Sequence, residues 1–290
     1  MFTPLIIFAA LLALAPYLAA AFFPKVTAAA QRLPQPAQLL LPAVLCVPYV
    51  LVACSTHTFH RSWLALYAIL PVAIAALMWN ARRADAAQHG TWRDYFVLAL
   101  LGLAVDLRWF EPAWPAHLAV FNKILLLDAG IYALLCIRQL DNVGFNLRLR
   151  MRDLLIGLRE FAFYAPIAIP IGLILGFLHF HAVWPHPLSA IGAFVFTFFF
   201  IAVPEELFFR GWLQNLLERR LGRTTALAVT AILFGLSHWN KHTLHFNWRY
   251  VMLATIAGVF YGRAWRHDRR VGASAITHAS VDTIWGLWFR

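Results

Sequence analysis

Phe198-Phe199-Phe200-Ile201-Ala202-Val203-Pro204-Glu205-Glu206-Leu207-Phe208-Phe209-Arg210 runs from pure hydrocarbon into two adjacent carboxylates and an arginine. The apolar part belongs to a longer run, Leu188–Val203, that holds no charged residue. A helix needs about 17 to 20 mainly apolar residues to cross the hydrocarbon core of a bilayer. In lipid the backbone must satisfy its own hydrogen bonds, so such a run is a helix. The whole chain is built in this way. Of its 290 residues 62% are hydrophobic, 15% aromatic and only 13% charged. A soluble domain is about 45–50% apolar and about 25% charged. This composition excludes a soluble enzyme, a disordered tail and a secreted disulfide scaffold. It implies an all-α polytopic membrane protein.

Ten apolar segments are candidate spans: 5–23, 38–53, 63–79, 95–105, 117–137, 161–180, 188–203, 224–238, 250–265 and 274–289. The fourth is short and the second carries Pro42 and Pro48. Eight to ten transmembrane helices are expected, with a C-terminal four-helix core. The first run has no Lys or Arg before Lys25, so it is expected to be a retained span rather than a secretory signal. With the N-terminus outside, 18 of the 24 Lys and Arg fall in cytoplasmic loops and five on the opposite side, with Lys123 inside a span. That is a positive-inside bias. The net charge of +11 is scattered among short clusters and marks no nucleic-acid face. Trp63, Trp79, Trp184, Trp239, Trp248 and Trp265 near span ends are headgroup anchors. Cys46, Cys54 and Cys136 lie in apolar runs without metal or disulfide spacing and are expected in the core.

The expected organisation has three parts. Residues 1–140 form an N-terminal transmembrane region of unknown role. Residues 141–187 hold an amphipathic interfacial helix, with Leu147, Met151, Leu154, Leu155 and Leu158 at helical spacing, followed by one transmembrane helix. Residues 188–290 hold the chemistry.

Ionisable groups inside a membrane are costly and are candidate functional sites. Glu206 and Arg210 are i,i+4 neighbours that can pair. Glu205 points about 100° away and is left without that partner. His238 follows Phe234 near the end of the eighth run, and His278 and Asp282 share a helix face in the tenth. Glu205 lies 17 positions before Gly222 and His238 lies 16 after it. A helical hairpin turning at Gly222 therefore sets the two at one depth, which requires the seventh helix to continue past Arg210. In the first half, Lys123 and Asp128 are expected to form a buried ion pair. The loop histidines His179, His181, His186, His242 and His245 are read as solvated.

The ordered set Glu205-Glu206-x-x-x-Arg210, Phe234-x-x-x-His238 and His278-x-x-x-Asp282 resembles the intramembrane endopeptidases of the CaaX-processing and bacteriocin-processing (CPBP) family, that of the Rce1-type CaaX protease. The resemblance covers about residues 188–290. It implies peptide-bond hydrolysis inside the bilayer, reached from the cytoplasm, on a membrane-anchored, lipidated or small secreted protein. It implies that Glu205 is the general base, assisted by His238, that His278 and Asp282 stabilise the oxyanion, and that Arg210 holds Glu206. Many relatives carry Asn where this chain has Asp282. An ionised carboxylate only accepts hydrogen bonds, so Asp282 is either protonated or orients His278. No cofactor is expected to be required; the alternative is zinc on Glu205, His238 and His278. The helical H-E-x-x-H motif is absent. The expected partners are the protein substrate and the lipid bilayer, with no nucleic acid, and the expected location is the cell membrane. The competing function is a transporter or proton relay built on the same buried Glu and His, which would bring inverted repeats that the sequence lacks.

Overall fold

The computed structural model describes residues 3–241 and 245–289. The described residues are helical and contain no strand beyond an isolated bridge between Phe180 and Phe289. Each of the ten apolar segments is a helix: α1 (Pro4–Phe22), α2 (Gln35–Ser55), α3 (Arg61–Ala84), α4 (Trp92–Asp106), α5 (Ala116–Ile137), α6 (Met151–Ile174), α7 (Pro187–Leu221), α8 (Arg223–Leu236), α9 (Trp248–Asp268) and α10 (Val271–Trp288). Six of them are long and apolar enough to cross a membrane: α1, α2, α3, α5, α6 and α7. The other four fall short for two reasons. Helices α4 and α8 have only 15 and 14 residues. Helices α9 and α10 are long enough but are diluted by Arg249, Arg263, Arg266 and Asp268, and by His278, Asp282 and their Ser and Thr neighbours.

The chain divides into two compact units, Met1–Asp141 and Asn142–Arg290. Residues 142–187 thus belong to the same unit as 188–290. In the first unit, Pro42 and Pro48 break α2 into an α-helical start, a 3₁₀ stretch over Leu41–Cys46 and a second α segment. A proline lacks the N–H that the helix ladder needs, and a tighter turn absorbs the loss. Tyr49, Tyr67, Trp114 and Phe121 pack as an aromatic cluster, with the Trp114 indole donating to the Tyr67 hydroxyl at 2.7 Å.

Arg138, one of the 18 basic residues assigned above to cytoplasmic loops, is fully buried. It donates from Nε to Asp94 Oδ1 at 2.7 Å and from Nη2 to Asp85 Oδ2 at 2.8 Å. Burial pushes the Asp85 carboxyl up, but the Gly90 and His89 N–H groups and Arg138 outweigh it and hold the group below its ordinary range. The expected Lys123–Asp128 pair does not form. Lys123 is exposed and Asp128 is buried, because residues five apart on a helix face different ways. Of the cysteines only Cys136 is buried; Cys46 is half-buried and Cys54 is exposed, since a span offers an outer face as well as a core.

In the second unit, the expected interfacial helix and the following span are one continuous helix, α6. It lies against α9 and α10. The deepest approach is between α8 and α9. A Cβ on Gly235 would stand 1.9 Å from the Thr255 hydroxyl and 2.5 Å from the Val251 carbonyl, and one on Gly258 would stand 2.9 Å from the Ala231 backbone. Small residues let membrane helices touch backbone to backbone. Gly235→Val is expected to lower stability by about 1–3 kcal/mol through overpacking, read as the thermal midpoint in detergent. An unchanged midpoint would contradict this packing. Helix α7 turns into α8 at Gly222, whose φ of 77° suits glycine. As expected from the hairpin, α7 continues beyond Arg210, to Leu221.

Candidate active site

Two helical stretches in α7 have the wider π pattern, Phe198–Ala202 and Leu207–Gln214. Between them Val203–Glu206 is a single α turn that carries both carboxylates. Widened turns of this kind recur at functional sites.

Glu206 is fully buried and fully engaged. Its Oε1 accepts from Arg210 Nη1 at 2.8 Å and lies 2.8 Å from His278 Nδ1. Its Oε2 accepts from the Ser274 hydroxyl. Arg210 is equally buried; its Nη2 donates to the Gly258 carbonyl at 3.0 Å. Its guanidinium sits 4.6 Å from the Phe234 ring centroid and 5.2 Å from that of Tyr261. A buried charge is tolerable only when paired and hydrogen-bonded in this way.

Glu205 stands apart from that pair. Its closest charged neighbours are His278 Nε2 at 3.9 Å and Lys241 Nζ at 4.0 Å. Its Oε2 is buried and makes no hydrogen bond among the described residues. The inference that only one carboxylate is tied to the arginine therefore matches the geometry.

His278 has carboxylates on both ring nitrogens, with Asp282 Oδ2 3.4 Å from Nε2. Glu206, through Nδ1, fixes the ring. Tyr261 stacks on the ring at 4.6 Å and 15°, and Phe234 meets it edge-on at 5.6 Å. Phe234 thus separates the two histidines and braces both, for the His238 ring lies 4.9 Å from it. His238 sits just past the end of α8. Its Nδ1 is 2.8 Å from the Phe234 carbonyl, which can only accept. Nδ1 therefore carries a proton, and in the neutral ring Nε2 keeps the lone pair. Tyr250 closes the other side of the ring at 4.8 Å.

His238, His278 and Asp282 open on one cavity, of about 640 Å³ counting its open part. Its walls are apolar and aromatic: Phe161, Tyr164, Phe177, Tyr250 and Trp285 among others. Helix α6 therefore contributes to the site beside α7–α10.

Four neighbours escaped the sequence reading. Ser274 had a usable signal, since Ser274, His278 and Asp282 are spaced i,i+4 along α10. Tyr261, Tyr250 and Lys241 had none, because they come from other elements. Among the described residues no three His, Cys, Asp or Glu side chains gather closely enough to hold a metal ion in this arrangement, and His278, with Nδ1 facing Glu206, keeps Nε2 toward Glu205 and Asp282. His186, one of the loop histidines, caps α7 through Nδ1, which accepts from the Leu188 N–H. His242 lies outside the described residues.

No curated protein and no solved structure matches the chain. A known family does match, over residues 186–284, and it is described as type II CAAX prenyl endopeptidase Rce1-like. The match spans about a third of the chain and takes in Glu205, Glu206, Arg210, Phe234, His238, His278 and Asp282. The match lies in a chain with six helices long and apolar enough to cross a membrane. Residues 186–284 carry the signature of the Rce1-like family of CAAX endopeptidases.

Proposed function

We propose that this chain is an intramembrane endopeptidase that hydrolyses a peptide bond in a membrane-anchored, lipidated or small secreted protein. One observation carries the reading. Of two adjacent carboxylates, Glu206 is consumed by Arg210, Ser274 and His278, while Glu205 keeps a buried oxygen without a hydrogen bond among the described residues, 3.9 Å from a histidine of the cavity wall.

In this proposal Glu205 takes a proton from a water molecule as the water oxygen bonds to the scissile carbonyl carbon. The carbonyl π electrons move onto oxygen and give a tetrahedral oxyanion. His238, with its lone pair on Nε2, orders the attacking water. His278 meets the oxyanion with Nε2–H, and Asp282 keeps that edge of the ring at the cavity wall. The proton on Glu205 then passes to the amide nitrogen as the C–N bond breaks, which leaves a carboxyl and an amine. The core is α7–α10, with α6 as a wall of the cavity, and α4, α8, α9 and α10 cross the bilayer beside the six apolar spans. No metal is required.

The test uses the purified full chain in vesicles with a lipidated membrane-anchored peptide, scoring new termini by mass spectrometry before and after dialysis against a strong chelator. Cleavage that survives metal removal, at a metal content well below one per chain, is the expected result. Stoichiometric zinc whose loss and return track activity would overturn the Glu/His chemistry. Absence of any cleavage product would overturn the protease reading.

The positive-inside bias sets the orientation proposed for the cell membrane. Single cysteines, placed in a background without Cys46, Cys54 and Cys136, test it. A membrane-impermeant thiol reagent outside the cell is expected to label position 184 and to miss positions 84 and 267. The reverse pattern would invert the topology.

A further inference from the structure

One end of the second unit gathers the start of α6, the α7–α8 turn and the α9–α10 turn. Every carboxylate there is used up. Asp153 is buried and accepts from Arg270 Nε at 2.6 Å. Glu160, also buried, is held by Arg159 at 2.8 Å and by Arg263 at 3.0 Å. Glu218 is held by Arg266 and, at 2.6 Å, by Arg269. Asp268 is paired with Arg152 at 2.7 Å. What remains at the surface is cationic. Arg148, Arg150, Arg220 and Arg223 are exposed and make no ion pair among the described residues.

The same end shows hydrocarbon. Met151, Leu154, Leu155 and Leu158 lie at i, i+3, i+4 and i+7 on the first turns of α6, and all four are exposed, Met151 at 69% and Leu155 at 61%. This row continues directly into the apolar remainder of α6, one of the six helices fit to cross a bilayer. An apolar stripe beside unpaired arginines fits one kind of neighbour, a lipid with an anionic head and hydrocarbon tails. A guanidinium matches phosphate oxygens two at a time, and basic residues at this depth are drawn to an anionic leaflet.

We propose that this end is a binding surface for acidic phospholipid. The phosphate headgroups pair with Arg148 and Arg150, and with Arg220 and Arg223 across the helix turns, while acyl chains lie along Met151, Leu155 and Leu158. The internal use of Asp153, Glu160, Glu218 and Asp268 makes the surface selective, because no carboxylate is left to repel the headgroup.

The test needs no catalytic readout, so it stands or falls apart from the protease reading. The full chain is reconstituted in nanodiscs of phosphatidylcholine mixed with phosphatidylglycerol, and co-released lipid is counted by native mass spectrometry. The wild type is expected to retain phosphatidylglycerol over phosphatidylcholine. Replacing Arg148, Arg150, Arg220 and Arg223 together by Gln should cut that preference by about tenfold or more, and replacing them by Lys should keep most of it. Rising salt should weaken the preference in the wild type, a reading available even if the Gln variant fails to fold. Equal retention of both lipids by the wild type would overturn the proposal, as would a Gln variant with undiminished preference. Displacement of the lipid by inorganic phosphate at equal concentration would show a plain phosphate site and overturn the lipid assignment.

Discussion

Glu205→Gln is expected to lower peptide cleavage by about 10²–10⁴-fold, the range a positioned general base supplies, with little change in stability. The amide is nearly isosteric but does not take up a proton from water. Stability should hold because the ion-pair partners of Glu205 among the described residues, His278 and Lys241, stand at 3.9 and 4.0 Å, and its side chain is 29% exposed. A long ion pair at a partly open position contributes little. Single-turnover cleavage by the purified variant in vesicles, beside its thermal midpoint, checks both halves. Near wild-type cleavage would remove Glu205 from the base role.

Glu206→Gln, one residue on, is expected to show the opposite balance: the fold suffers first. The change leaves Arg210 buried beside a neutral amide whose single oxygen cannot accept from Arg210, His278 Nδ1 and Ser274 as the two carboxylate oxygens do. Breaking a fully buried pair from one side costs about 3–5 kcal/mol. The double variant Glu206→Gln/Arg210→Met should recover part of the loss, since no unpaired charge is left. Unfolding midpoints in mild detergent for both singles and the double test this. If the two singles are as stable as the wild type, the pair is not the structural tie described here. Activity should fall in Glu206→Gln and in the double variant, because His278 loses the carboxylate that fixes its ring.

Much of this site was legible because helices impose a spacing. The i,i+4 rule separates the paired Glu206 from the unpaired Glu205, and it sets His278 beside Asp282. Equal distance from Gly222 places Glu205 and His238 at one depth, but such arithmetic fixes no direction around the helix axis. His238 in fact turns its Nδ1 to the Phe234 carbonyl, and it is His278 that comes within 3.9 Å of Glu205. His278 is held from both edges, by Asp282 at Nε2 and by Glu206 at Nδ1, and Glu206 comes from a helix 72 positions away. No local pattern announces such a contact.

The same limit explains other differences. Arg138 looked like a loop charge because its acids, Asp94 and Asp85, lie 44 and 53 positions upstream. The interfacial helix and its span merged because both have the period of an α-helix and no glycine or proline pair separates Leu158 from Phe161. The π turns of α7 carry no sequence signature at all.

Those π turns make α7 intolerant of an added residue. Each widened turn accommodates an extra residue without a loop to absorb it. Because Leu207–Gln214 already holds its extra residue, inserting one more there would rotate everything after it by about 100°. Gln214 and Glu218 would then swing away from Gly262, Arg266 and Arg269, while Glu205 and Glu206 kept their places. Insertions, which surface loops accept readily, should therefore be least accepted in the middle of this helix, and chains descended from a common ancestor should add no residue between Glu206 and Gly222 even where they change the residues themselves.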